Sequence, residues 1–261
     1  MSPDALVLPF VEQVADRSAR PVVIGLCGSQ GSGKSTLAAT LCERLPGAVS
    51  LSLDDLYRTR AERAQLAAEV HPLLRTRGVP GTHAVDLGWQ VLDRIRDGRA
   101  ARLPRFSKAI DDRLPESEWS VAPAGTRILI LEGWCVGAVP QTDDALRTPV
   151  NALEREQDPD LVWRRFVNAS LAGPYQALFQ RLDRLILLGA PDWEQVLRWR
   201  SQQEDALRRS GATGTGLMNR AELEIFVSHY ERLTRHTLTE MPSRSDLFIR
   251  LDASRDVVLC C

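Results

Sequence analysis

Residues 21–47 constrain the fold more than any other stretch of the chain. Val22-Val23-Ile24-Gly25-Leu26 is an apolar run of buried-strand length. It leads into Gly28-Ser29-Gln30-Gly31-Ser32-Gly33-Lys34-Ser35, a complete G-x-x-x-x-G-K-S match. Leu37, Ala38, Leu41 and Leu45 follow at helical spacing, and Pro46-Gly47 ends the helix. In that order the three pieces make a phosphate cradle. Glycines let backbone N–H groups curl inward, and the helix N-terminus adds positive potential. The motif predicts that Gly28, Ser29, Gln30, Gly31, Ser32, Gly33, Lys34, Ser35 and Thr36 bind a nucleoside triphosphate. Lys34 is expected on the β- and γ-phosphates and Ser35 on Mg²⁺.

The lysine count sharpens this. The chain has 33 basic residues, and only Lys34 and Lys108 are lysine, against 31 arginines. A lysine that persists in such a background is a candidate for chemistry a guanidinium cannot perform. One of the two is the cradle lysine, which lends weight to Lys108. A net charge of −1 gives no reason to expect nucleic acid or an anionic membrane as partner. No apolar run approaches the ~18 residues of a membrane span. Asp4 and Glu12, without a basic n-region, argue against a secretory signal. Five cysteines without metal-ligand spacing read as reduced thiols, giving a cytoplasmic expectation. The Cys260-Cys261 end resembles a lipidation site of trafficking GTPases, but the guanine-reading Asn-Lys-x-Asp is missing.

Further along, Ala48–Leu53 reads as a second strand ending in Asp54-Asp55, which either face a ligand or cap the next helix. Residues 58–76 read as a charged, solvated helix. Arg75–His83 is a turn-rich loop with few apolar anchors, and Leu103–Arg113 lacks the periodicity of helix or strand. Arg127–Leu131 is a strand closed by Glu132-Gly133, where a carboxylate can join the Mg²⁺ shell or face an acceptor. Residues 138–160 look like an excursion from the core, and Leu161–Leu182 like a helix. Arg184–Leu188 and Leu247–Leu251 supply the fourth and fifth strands, and Leu217–Leu238 an amphipathic helix. Trp193–Arg209 carries Arg198, Arg200, Arg208 and Arg209, as suits a lid over phosphates. The expectation is a single α/β domain of the P-loop NTPase type: a five-stranded parallel sheet, helices on both faces, acceptor-side insertions at 58–120 and 138–165, and a lid at 193–215.

The phosphate loop, the acid after strand two and Leu131-Glu132-Gly133 together resemble the uridine kinase, pantothenate kinase and phosphoribulokinase superfamily. Within it the chain resembles the plant-type D-glycerate 3-kinases and their bacterial and fungal relatives. The resemblance runs through Ser52-Leu53-Asp54-Asp55-Leu56-Tyr57, Arg77-Gly78-Val79-Pro80-Gly81-Thr82-His83, Pro104-Arg105-Phe106-Ser107-Lys108, Asp112-Arg113, Glu132-Gly133-Trp134, Asn151-Ala152-Leu153 and Trp199-Arg200-Ser201-Gln202-Gln203-Glu204. It implies Asp54 as base toward an acceptor hydroxyl. It also implies an Asp where this chain has Ala84, and another where it has Ser107.

The reading is therefore an ATP- and Mg²⁺-dependent kinase acting on a small anionic metabolite, with D-glycerate as first choice. Its catalytic residues are Lys34, Asp54, Glu132 and Arg200, with Arg198 as second choice for the last. Ser35, Asp54 and Glu132 are the candidate metal ligands. Arg77, His83, Lys108 and Arg113 form a cationic set suited to a carboxylate. A pantothenate- or uridine-type kinase and an ATP-hydrolysing switch protein are the rival readings.

Overall fold

The computed structural model describes residues 1–209 and 220–261. The far end of the expected lid, the Arg208 side chain and the expected start of the last long helix at Leu217 lie outside the described residues. In chain order the main elements are α1 (Asp4–Asp16), β1 (Val22–Gly28), α2 (Lys34–Arg44), β2 (Ala48–Ser52), α3 (Arg60–Glu69) and α4 (Val85–Arg96). Four short strands follow, β3 (Ala101–Leu103), β4 (Phe106–Ser107), β5 (Asp112–Arg113) and β6 (Ser120–Ala122), then β7 (Ile128–Gly133). The rest comprises α5 (Asp143–Arg147), α6 (Ala152–Gln157), α7 (Val162–Ser170), α8 (Gln176–Phe179), β8 (Arg184–Gly189), α9 (Trp193–Arg209), α10 (Arg220–Glu240), β9 (Leu247–Leu251) and β10 (Val257–Cys260).

The strands order as β10-β9-β8-β1-β7-β2. All seven residues of β1 are buried, as expected for a central strand covered on both faces. The expected five-stranded parallel sheet is thus extended to six strands and becomes mixed. β10 runs antiparallel along β9 with a bulge between Val257 and Leu259, and Phe248 and Cys261 exchange backbone hydrogen bonds. The terminal cysteines therefore belong to a sheet edge.

Parallel register brings the functional positions to one level. Leu26 of β1 and Ser52 of β2 both pair with Glu132 of β7. The phosphate loop, the Asp54 turn and Glu132 consequently leave the sheet at its carboxyl edge, where open α/β sheets bind ligands. α1 buries Val7, Leu8, Val11 and Ala15 and packs against α2 and β1.

Three segments differ from expectation. Residues 58–76 form α3 and a separate short turn at Pro72–Arg75, and Arg63, expected on a solvated face, is buried. The aperiodic stretch at 103–113 contains the β4–β5 hairpin. Leu161–Leu182 is interrupted by a wide turn at Leu171–Tyr175 that contains Pro174, which lacks the N–H a regular helix needs. A second apolar cluster of Leu73, Leu74, Val79, Leu153 and Trp163 lies apart from the main core, under the insertions.

Candidate active site

The cradle is built as the glycines require. Gly31 and Gly33 have φ of 81° and 87°, a region open to glycine at little cost. At Gly31 there is no room for a side chain either, because an added Cβ would stand 2.5 Å from the Cβ of Trp199 in α9. Lys34 opens α2 directly behind the loop. The hydroxyls of Ser29 and Ser32 and the amide oxygen of Gln30 are buried without hydrogen-bond partners among the described residues. Buried polar atoms of that kind are left for a polar ligand to satisfy.

Glu132 is the penultimate residue of β7 and meets the first turn of α2. Ser35 Oγ donates to its Oε1 at 3.0 Å, while its Oε2 is buried without a partner among the described residues. A hydroxyl and a carboxylate held together, with one carboxylate oxygen unused, fit a hard divalent cation that keeps most of its water. No cluster of three or more His, Cys, Asp or Glu that could hold a metal occurs among the described residues. Asp54, the third candidate ligand, is committed elsewhere.

Asp54 lies in the tight turn Leu53–Leu56, where its N–H is capped by Ser52 Oγ at 3.3 Å. Lys108 Nζ donates to its Oδ2 at 2.6 Å and the Tyr57 hydroxyl to its Oδ1 at 2.7 Å. Burial opposes ionisation here. The Lys108 charge and hydrogen bond, the Lys34 charge and the Tyr57 hydroxyl outweigh it, holding the Asp54 carboxyl well below the usual carboxylate range.

Its neighbour Asp55 has different partners in the same hairpin. Asp55 Oδ1 accepts from Phe106 N at 3.0 Å and its Oδ2 pairs with Arg105 at 3.4 Å, fixing the start of the β4–β5 hairpin. Arg63 fixes the tip, donating to the carbonyls of Arg58, Arg75 and Asp111 and pairing with the Asp111 carboxylate at 2.9 Å. The turn between the two short strands then carries Lys108 over Asp54.

The remaining expected residues divide. The Arg77 guanidinium pairs with Asp111 and lies 5.8 Å from the centre of the Phe106 ring. Arg200 is half-buried and pairs with Glu204 at 3.0 Å. Burial and the Asp54 charge push the Tyr230 hydroxyl up, and the Arg77 and Arg200 charges oppose that shift. Arg198, the second choice, is exposed and its Nη1 lies 3.5 Å from Gln195 Oε1. Arg113 braces the Asp54 turn, with Nη2 on the Tyr57 carbonyl at 2.9 Å.

His83 departs from the cationic role expected of it. It is 1% exposed, stacked on Tyr57 at 4.5 Å between ring centres, and shares a hydrogen bond with the Tyr175 hydroxyl. Burial pushes its pKa down to about 3, so it is a neutral packing group that supports the ring beside Asp54. Burial likewise pushes the Cys27 thiol up to about 12 and Cys135 well above its ordinary value, so neither is a nucleophile.

Tyr230 was legible only as a core position of an amphipathic helix. Its hydroxyl donates to the Arg77 carbonyl at 3.1 Å, and an added Cβ at Gly78 (φ 132°) would stand 1.9 Å from that hydroxyl. Its ring meets Trp134 edge-on at 4.8 Å. α10 therefore sets the Tyr230 ring and hydroxyl against the Arg77-Gly78 backbone and Trp134. Tyr230 does not lie in a motif that local sequence could flag.

The family model described as an AAA domain matches residues 23–104. The uncharacterized kinase mug58 of Schizosaccharomyces pombe is 37% identical over 238 residues, which cover 86% of this chain and 83% of that protein. The chloroplastic D-glycerate 3-kinase of Arabidopsis thaliana is 30% identical over 92% of this chain, which spans 54% of the plant protein. Among solved structures, D-glycerate 3-kinase from Cryptococcus neoformans superposes with a TM-score of 0.82 at 23% identity, covering 99% of this chain and 98% of that one. No helix among the described residues is long and apolar enough to cross a membrane.

Proposed function

The chain belongs to the family of P-loop kinases that includes the fission-yeast kinase mug58, and we propose that, as an ATP-dependent kinase of that family, it phosphorylates a hydroxyl of a small sugar acid, with D-glycerate giving 3-phosphoglycerate as first choice. The observation that carries the reading is the Lys108–Asp54 pair, 2.6 Å apart, in the turn that follows β2 at the carboxyl edge of the sheet. A base paired with the Lys108 ammonium and acted on by the charge of Lys34 suits an acceptor that is both an alcohol and an anion.

In this reading residues 28–36 hold the triphosphate, with Lys34 on its terminal phosphates. Mg²⁺ held by Ser35 and Glu132 would neutralise charge on the transferring group. Asp54 accepts the proton of the attacking hydroxyl. Lys108 exchanges part of its bond to Asp54 for the carboxylate of the incoming acid, and Arg77 helps to orient that acid. Arg200 faces the charge that develops on the phosphoryl oxygens. A single domain with reduced, buried thiols beside the site is consistent with a cytoplasmic enzyme.

A coupled ATP-consumption assay across sugar acids, nucleosides and pantothenate tests the proposal. Turnover is expected near background with ATP alone and well above it with D-glycerate. Steady hydrolysis without acceptor would make the chain a nucleotide-driven switch. A response confined to pantothenate or a nucleoside would keep the kinase and replace its substrate.

A further inference from the structure

We propose that Arg255 is a positioning residue of the nucleotide site, locking one peptide of the phosphate cradle in its binding orientation. The inference rests on reading residues 28–36 as that cradle. Arg255 lies in the turn between β9 and β10, far in sequence from the glycine loop. Its Nε donates to the Gly31 carbonyl at 2.5 Å, and its guanidinium lies 5.0 Å from the centre of the Trp199 ring. Its Nη2 reaches Gln202 Oε1 at 3.4 Å. From the same turn, Ala253 accepts the Trp199 indole N–H at 2.8 Å. One short turn thus grips both the glycine loop and the helix carrying Arg200.

The effect on the loop follows from peptide geometry. In a planar trans peptide the C=O and the following N–H point in opposite directions. Holding the Gly31 carbonyl on Arg255 aims the Ser32 N–H back into the loop, where it meets the Ser29 carbonyl at 3.2 Å. Gly31 has φ of 81°, and a glycine there can turn its peptide over at little cost. A flipped peptide would present a carbonyl to phosphate where the cradle needs an N–H. An external donor on Gly31 removes that alternative.

The turn holds Arg255 in an uncommon conformation. Arg255 has φ of 71°, in the left-handed region. Asp252 enforces it: its Oδ1 accepts from Ser254 N and Asp256 N at 2.8 and 2.9 Å, and its carbonyl accepts from Arg255 N at 3.0 Å. A residue chosen for turn geometry alone at that φ would be Gly or Asn. An arginine there indicates that the guanidinium is what the position retains.

That conformational preference supplies a clean test. Arg255→Asn suits the left-handed turn, so it removes the guanidinium without adding strain. Binding of MgATP is measured by calorimetry on the full chain, with thermal midpoints recorded without ligand. The expected result is a Kd raised about 10-fold, or ~1.4 kcal/mol, with the ligand-free midpoint unchanged or higher. Arg255→Lys, which keeps one donor for the Gly31 carbonyl, should recover part of the loss. An unchanged Kd in Arg255→Asn overturns the inference, as does a lowered midpoint with ordinary affinity in the folded fraction. Lys34→Met is run alongside. Loss of ATP binding there with none in Arg255→Asn sinks only the Arg255 role, whereas intact binding in both removes the cradle reading beneath it.

Discussion

Lys108 Nζ stands 2.6 Å from Asp54 Oδ2, joining the second lysine of the chain to the acid that closes β2. Lys108 is 61% exposed, and exposed ion pairs typically contribute only about 0–1 kcal/mol. The pair is therefore poorly explained as a stabilising contact. Its chemical consequence is larger: it keeps Asp54 ionised and places an ammonium where an anionic acceptor must approach.

A charge-conserving change separates ammonium from guanidinium. Lys108→Arg is expected to lower kcat/KM for the acceptor at least ~10-fold, equivalent to ~1.4 kcal/mol, because the planar fork cannot take the same place above Asp54. Stability should remain within about 0.5 kcal/mol of wild type. Wild-type kinetics in this variant would leave Lys108 an ordinary surface residue.

Removing the charge altogether moves the base. With Lys108→Met, Asp54 loses the interaction that most favours its ionised form, and its pKa rises. A base must be deprotonated to act, so the acidic limb of the kcat profile is expected to shift to higher pH. A limb that stays in place would assign the titration to another group.

Asp54→Asn keeps the shape of the side chain and removes its proton affinity. The expected loss in kcat is ~10²–10⁴, the usual worth of a general base, with little change in ATP affinity. An unchanged kcat would transfer the role to Glu132, since Asp55 is tied to the hairpin backbone and to Arg105.

Lys34→Met should reduce phosphoryl transfer by at least ~10² while the fold survives. Lys34 is only half-buried at the mouth of the cradle, so its loss opens no cavity in the core. Circular dichroism and the thermal midpoint check the fold, and single-turnover transfer checks the chemistry. Near-normal turnover would end the phosphate-loop assignment.

What the sequence disclosed depended on how local each cause is. The cradle and β7 with its Glu132-Gly133 end are each written in contiguous residues, so the first strand could be seen with its glycines and the other with its acid. The β4–β5 hairpin could not. Its strands are two residues each and exist because Asp55 and Arg63, more than 40 positions away, hold its start and tip. β10 escaped for a similar reason: Val257–Cys260 is short and leaves Val258 and Leu259 exposed, so it shows no buried apolar run. His83 was misjudged because a loop histidine among polar residues gives no sign of burial. Tyr57, at the end of the Asp54 turn, and Tyr175, more than 100 positions further along, pack against its ring, and both lie far from it in sequence.

The burial of His83 has its own measurable consequence. In the unfolded chain a histidine titrates near ~6.5, whereas in the fold burial lowers His83 to about 3. Between those values the unfolded state binds a proton that the native state excludes. Stability is therefore fully present above pH ~6.5 and is lost as the pH falls toward 3, by up to ~1.4 kcal/mol per pH unit from this group. His229 and His236 are also lowered by burial and add to the same slope. His83→Gln keeps a polar group facing the Tyr175 hydroxyl and cannot titrate. Urea unfolding at pH 7 and pH 5 is expected to show a smaller loss on acidification for this variant than for wild type, the remainder belonging to the other two histidines. Parallel losses in the two proteins would mean that His83 is solvated and able to carry charge at the site after all.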